Sequence, residues 1–333
     1  MWQYYQPAPT EFERVEAPEP EPDSLEDGEV IIRFRAGAIC GSDIPKFLGH
    51  IDPDHPDTGC PGAPLHEVVG TVEATRAPGF EIGRRVVGFI SGSRGLSEVI
   101  STAASMLVAV DDRLGDIEAT MVQPLSTVLS TFSYCSDVRG RRVAVLGLGP
   151  LGLLFTHVAK SMGAAHVVGV DRVDRSDVAE RFGIDEFVHR DVRSWSRELD
   201  PADAPDMIIE AIGHRQEHLA DAVEAIADSG QLVLFGLPED HYVFPMRRFF
   251  RKNLSLWGGT TRDWKRFMPE AQEYVLAHPR LPKDYITTVF PLDDVAEAFQ
   301  CYATPKRGRL KVALTPPAEA ANRGPGTTDQ SNQ

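Results

Sequence analysis

Ten residues from Val143 to Gly152, VAVLGLGPLG, constrain this chain more than any other stretch. A short apolar run leads into Gly147, Gly149 and Gly152 at G-x-G-x-x-G spacing. An apolar, helix-like segment follows, then a second β-like run, HVVGVD, which closes on Asp171, 19 positions after Gly152. Each residue type has a physical reason. The first glycine permits a tight turn, the second lets backbone approach a pyrophosphate, and the third lets the helix pack on the strand and aim its N-terminus at the phosphates. Pro150 and Leu151 would open that helix. Asp171 would accept hydrogen bonds from ribose hydroxyls and repel a 2′-phosphate, with Arg172 and Arg175 near enough in sequence to offset part of the repulsion. A glycine-rich turn in any α/β domain shares the bare spacing, but strand, helix, second strand and acid in register point to a dinucleotide, NAD(H).

A chain of 333 residues with 42% hydrophobic and 25% charged side chains is ordinary for a globular protein of two domains. Its net charge of −15 argues against nucleic acid or an anionic membrane as partner, since both demand a basic surface. Residues 1–30 are acidic and proline-rich, without a basic n-region or apolar h-region, and the longest apolar stretch is broken by Gly147, Gly149, Pro150 and Gly152. A cytoplasmic location is therefore expected. Cys40, Cys60, Cys135 and Cys301 lack the close spacing of a disulfide framework.

The pattern changes near residue 135. Before it, short strand-like runs at Val30–Arg35, Val68–Ala74, Arg85–Ile90 and Leu96–Ile100 are separated by glycine and proline, as in a compact β-rich domain. After it, strand-like VAVLG, HVVGVD, EFVH, DMIIEAIG, GQLVLFG and NLSLWGG alternate with helical stretches at Leu151–Met162, Ser176–Phe182, Gln216–Ala227 and Trp264–Leu276. That alternation predicts a doubly wound parallel sheet over 135–277. A β-α-β segment within 278–315 would return to complete the first domain, 1–134. The tail 316–333 has a disordered composition, and the acidic Pro18–Glu29 reads as a solvated loop. Carboxyl ends of parallel strands are where ligands sit in such sheets, which singles out Ile212-Gly213, Phe235-Gly236 and Gly258.

The β-rich part holds a second constellation. Cys40-Gly41-Ser42-Asp43 follows a strand, His66-Glu67 opens the run VVGTVEA, and Gln123-Pro124-Leu125 interrupts a helical segment ahead of the glycine-rich loop. A thiolate, an imidazole and oxygen donors from separate segments are what a catalytic zinc site uses, because it grips the metal yet keeps one position for substrate or water. Taken singly, a cysteine is more often a small buried hydrophobe, and a His-Glu pair a surface or capping feature.

Together and in this order these residues resemble the zinc-dependent medium-chain dehydrogenase/reductase family, the alcohol, polyol and sugar dehydrogenases. The anchors are CGSD at Cys40–Asp43, HEVVG at His66–Gly70, GLSEVI at Gly95–Ile100, QPLST at Gln123–Thr127 and GLGPLG at Gly147–Gly152. The resemblance implies an α/β architecture of a GroES-like β-rich catalytic domain plus a Rossmann domain, with the strand-end turns named above lining the nicotinamide half of NAD(H). It implies a zinc-dependent oxidoreductase interconverting a small-molecule secondary alcohol and its ketone, on a sugar, polyol or cyclitol, as a homodimer or homotetramer. Cys40 and His66 would be Zn²⁺ ligands, Glu67 a ligand or a carboxylate exchanging onto the metal, Ser42 the start of a proton relay, and Asp43 the carboxylate that orients the ligand histidine.

Three departures accompany the likeness. The cysteine-rich lobe that carries a structural zinc is missing, because Phe89–Arg94 runs directly into Gly95, so one catalytic zinc is expected and no structural one. Leu65 stands where the family has glycine before the His-Glu pair. Gln123 stands where relatives have Cys or Glu; a neutral fourth donor leaves about +1 formal charge at the metal, falling to about zero when Glu67 coordinates. The alternative for Gln123 is a helix-terminus residue bonded to backbone. Pro45 replaces a relay histidine, so the relay would end in solvent or at His50 or His55. The substrate pocket is expected near Phe47, Arg94, Trp257 and Thr261. A zinc-free quinone or enone reductase of the same fold and a catalytically silent nucleotide-binding protein are the competing readings.

Overall fold

The computed structural model describes residues 1–50, 59–213, 216–258 and 263–318. Two compact units emerge: Met1–Val122 with Thr288–Thr304 and the segment from Lys311 onward, and Gln123–Thr287 with Pro305–Leu310. The second unit thus begins ahead of the expected 135, because the helix Val122–Tyr134 counts almost wholly with it. The return to the first unit begins at Thr288 rather than 278.

The first unit is built on a seven-stranded sheet in which Glu29–Ala38 lies between Glu67–Thr75 and Lys311–Thr315. Alternate apolar residues of these strands (Val30, Ile32, Phe34, Val68, Val72, Val312, Leu314) bury together with Leu292, Val295 and Phe299 of the returning segment. Two irregularities in the pairing of Glu29–Ala38 with Glu67–Thr75, at Ile31/Ile32 and Phe34/Ala36, bend the ladder before it ends at Ala38 opposite Glu67. The acidic Pro18–Glu29 segment is largely exposed.

The second unit carries six parallel strands in the order Glu186–His189, His166–Asp171, Arg142–Leu146, Met207–Glu210, Gln231–Leu234 and Ser255–Gly258. The strand order reverses beside Arg142–Leu146, which feeds the glycine-rich loop, and such a switch point opens a crevice at the carboxyl ends of the strands. Two sequence readings fail locally. Ser176–Phe182 is mostly turns, with only a 3-10 segment at Glu180–Phe182, since Arg175 and the acids around it bond to neighbouring loops instead of propagating a helix. The helix Val192–Glu198, capped by Asp191 through Ser194 N, was hidden by its short polar pattern. Pro124 sits in the first turn of its helix, where its missing N–H costs nothing, so it does not interrupt the helix. Among the described residues no helix is long and apolar enough to cross a membrane.

A half-buried imidazole links two helices of this unit. His157 Nδ1 lies 2.7 Å from the Tyr274 hydroxyl, and its ring contacts His278. Burial, reinforced by His278, pushes the His157 pKa down to about 4, against a smaller upward pull from Asp284. The unfolded chain takes up this proton near pH 6.5 and the folded one only near 4, so stability is full above 6.5 and falls as pH drops through that window. The loss should approach about 3 kcal/mol. Unfolding free energies measured from pH 7 to 4 should show a shallower slope in His157→Gln; identical slopes would contradict the assignment.

Candidate active site

The strand Glu29–Ala38 ends by delivering Cys40, and its neighbours deliver the rest. The pairing of Ala313 with Ala38, continued along both strands, brings Lys311 opposite Cys40 on one side, while Glu67 pairs with Ala38 on the other. Cys40 caps a 3-10 turn, Gly41–Asp43, whose last residue folds its side chain back. Asp43, 1% exposed, then holds two groups at once: Oδ2 accepts the Cys40 N–H at 2.9 Å and Oδ1 lies 2.7 Å from His66 Nδ1. A carboxylate accepts here, so an imidazole proton is held on Nδ1 and the other ring nitrogen is turned toward Cys40, where a metal could take it. The ring face packs on Phe89.

The ligand atoms of Cys40, His66 and Glu67 all lie within 4.8 Å of one another, with His66 and Glu67 buried. Burial lowers the affinity of His66 for its proton, but the Asp43 charge, with hydrogen bonds to Asp43 and Cys40, outweighs it and holds the pKa well above the ordinary value. Glu67 has a second cation at hand: Lys311 Nζ lies 2.6 Å from Oε2, with both side chains at most 2% exposed. The donor set fits zinc, a soft thiolate and an imidazole whose far nitrogen is anchored, with a carboxylate shared between metal and lysine. Lys311 escaped the sequence reading. Its only signal was a charged residue in an otherwise apolar strand, LKVAL.

The remaining expected residues are placed as follows. Ser42 is half-buried beside Cys40. Leu65 does not disturb the turn before His66: its N–H donates to Ser93 O, its carbonyl accepts from Gly95, and its side chain fills the space above Gly37. Gln123 is buried at the start of its helix, in the other unit, with its carbonyl accepting from Ser126 Oγ. His50 is exposed; His55 and Thr261 lie outside the described residues. Phe47 is fully buried among Phe12 and Phe299, so it serves the core and lines no pocket. Arg94 is exposed, with Nη2 3.7 Å from Cys60 Sγ, and Trp257 stacks on Tyr134.

In the second unit the glycines meet their requirements by measurable sterics. A Cβ on Gly152 would sit 1.8 Å from Gly147 O, and Gly147 itself has φ +87° with Ile212 closing over it. Around Gly149 the space is open, as a close-approaching phosphate needs. Pro150 and Leu151 begin the helix Pro150–Ser161. Asp171 ends its strand with Oδ2 accepting Leu148 N–H at 2.6 Å and Oδ1 accepting Val173 N–H at 2.7 Å, which ties the loop to the second strand. Arg172 beside it is exposed. Arg175 is not available to a phosphate. It is 2% exposed and donates to the carbonyls of Lys306 and Arg309. Ile212, Gly213, Phe235, Gly236 and Gly258 end or follow their strands on the same edge, and Glu210, which the sequence reading passed over, bonds the first two.

Comparisons with known proteins place this geometry. A family model described as "Alcohol dehydrogenase GroES-like domain" matches residues 26–114, and one described as "Zinc-binding dehydrogenase" matches 150–273. The chain is 24% identical over 321 residues to L-threonine 3-dehydrogenase of Legionella pneumophila, covering 85% of this chain and 91% of that protein. It is 28% identical over 205 residues to (R,R)-butanediol dehydrogenase of Bacillus subtilis, covering 52% and 58%. Among solved structures, an alcohol dehydrogenase of Escherichia coli CFT073 complexed with NADH superposes with a TM-score of 0.80 at 22% identity, covering 95% of this chain and 99% of that one.

Removing one partner of the buried Glu67–Lys311 pair strands a charge. In the metal-free protein Lys311→Met should cost about 3 kcal/mol or more of stability and Lys311→Arg much less. Urea denaturation of both variants checks this, and a loss below about 1 kcal/mol in Lys311→Met would contradict the pairing.

Proposed function

We propose that this chain, which belongs to the zinc-type medium-chain dehydrogenase family, is a zinc-dependent NAD(H) oxidoreductase. It interconverts a secondary alcohol and its ketone on a sugar, polyol or cyclitol. The observation that carries the reading is the convergence of Cys40, His66 and Glu67 around one point, with Asp43 fixing the first two. The alcohol-oxidising relatives support the reaction class, and the names threonine 3- and (R,R)-butanediol dehydrogenase both imply a secondary hydroxyl.

Cys40 and His66 would hold the zinc, with Glu67 shared with Lys311. When bound, zinc would polarise the substrate oxygen, the kind of effect that takes the pKa of a bound water from about 16 to about 7, and NAD(H) would take or give the hydride. Asp43 keeps the His66 tautomer and supports its donor strength. Ser42 takes the hydroxyl proton from the substrate and passes it outward to solvent. Lys311 offsets the Glu67 charge, so the carboxylate can lie beside the Cys40 sulfur in a buried place. Asp171 receives the adenosine ribose while fixing Leu148 in the loop.

Purified protein should hold about one zinc per subunit, and Cys40→Ser or His66→Ala should lose both zinc and turnover on a panel of polyols, cyclitols and their ketones while keeping the fold by circular dichroism. Full activity after complete chelation would refute the metal's role. The Asp171 carboxylate about 4 Å from a 2′-phosphate would cost roughly 4 kcal/mol at an effective dielectric near 20. With the exposed Arg172 offsetting part of it, NAD should be preferred over NADP about tenfold or more, and Asp171→Ser should narrow the gap. Equal kcat/KM for the two cofactors in the wild type would contradict this.

A further inference from the structure

The carboxyl ends of two adjacent strands in the second unit meet at one buried residue, Glu210. Glu210, 7% exposed, ends Met207–Glu210, and its Oε1 accepts the N–H groups of Ile212 at 2.7 Å and Gly213 at 2.8 Å. Its main-chain carbonyl accepts the N–H groups of Phe235 and Gly236, both at 3.0 Å. Four consecutive-turn donors from two strand ends thus terminate on a single residue. Hydrogen bonding of this kind fixes backbone, because each buried N–H released from its acceptor carries a desolvation penalty.

The packing leaves these turns no freedom to move independently. A Cβ on Gly236 would fall 2.2 Å from Gly213 N and 2.9 Å from Glu210 Oε2, and one on Gly213 would fall 2.6 Å from Leu237 N. Ile212, the residue Glu210 holds by its N–H, closes over the first glycine of the phosphate-binding loop, where a Cβ on Gly147 would meet its Cγ1 at 2.5 Å. Ala211 N–H donates to Leu146 O, so the same segment is tied to the strand that feeds that loop. A shift of the 212–213 turn would therefore displace both the 235–236 turn and the wall of the glycine-rich loop.

We infer that Glu210 is a positioning residue for the cofactor: its carboxylate locks the strand-end turn at Ile212-Gly213, on which Gly236 packs, into a rigid platform that receives the nicotinamide half of the dinucleotide. The inference rests on the NAD(H) reading above. It assigns Glu210 no contact with the reacting atoms. The adenosine half, met by Asp171 and the open space at Gly149, has no bond to the carboxylate and feels its loss only through the Ile212–Gly147 contact. Loss of the carboxylate should therefore affect the two halves of the cofactor unequally, which a merely structural role would not do.

The test titrates NADH and ADP-ribose, which lacks only the nicotinamide, into zinc-loaded full-length wild type, Glu210→Gln and Glu210→Ala. Glu210→Ala should weaken NADH about tenfold or more while ADP-ribose changes less than about threefold. Glu210→Gln, whose amide oxygen still accepts both N–H groups, should recover NADH binding to within about threefold of wild type. Glu210→Asp, one methylene short of the same amides, should show the selective loss again and decides the matter if Glu210→Ala does not fold. Unchanged NADH affinity in the Ala and Asp variants, or equal weakening of both ligands, overturns the inference alone. Wild-type protein that binds neither ligand overturns the NAD(H) reading itself.

Discussion

One buried carboxylate holds the corner of Cys40 and His66 together. Asp43 accepts the main-chain N–H of Cys40 and faces Nδ1 of His66, so a residue from the end of one strand and another from the start of its neighbour are referenced to a single group. A charge this deep would be costly alone. It is tolerated because both of its oxygens are engaged and because the imidazole answers it with a proton. A divalent ion would take the place of a proton on the other ring nitrogen and leave the Nδ1–Asp43 bond intact.

The second buried charge pair works on the same principle at the next strand. Glu67 lies beside the Cys40 sulfur and the His66 ring, where a lone carboxylate would repel a thiolate, and Lys311 supplies the compensating charge from the returning C-terminal strand. The chemistry of the first unit thus depends on residues at both ends of the sequence. In the second unit the corresponding roles fall to Asp171 and Glu210, carboxylates that spend their lone pairs on backbone N–H groups of the turns at the carboxyl ends of the strands. Asp43, Asp171 and Glu210 each fix a local backbone geometry before any ligand arrives, whereas Glu67 answers a side-chain cation.

What could be read in the sequence was what physics makes local. Gly147, Gly149 and Gly152 announce themselves because their constraints act within a few residues, as the 1.8 Å approach of a Gly152 Cβ to Gly147 O shows. Cys40 to Asp43 was legible for the same reason, being one turn closed by its own side chains. Lys311 and Glu210 were not, since a buried ion pair between distant strands and a carboxylate folding onto the next turn leave no periodic mark. Phe47 was misread because an aromatic beside a candidate ligand is as easily core as pocket, and the core won through Phe12 and Phe299. Arg175 was misread because proximity in sequence to Asp171 says nothing of direction; the guanidinium turned inward to the carbonyls of Lys306 and Arg309.

The central claim is that Cys40 and His66 bind zinc as first ligands in a site built by Asp43. X-ray absorption at the zinc edge of the purified protein measures this most directly. One sulfur scatterer at about 2.3 Å with nitrogen and oxygen neighbours at about 2.0–2.2 Å is the predicted shell, with the sulfur lost in Cys40→Ser. A shell without sulfur in the wild type, or an unchanged sulfur signal in Cys40→Ser, would contradict it.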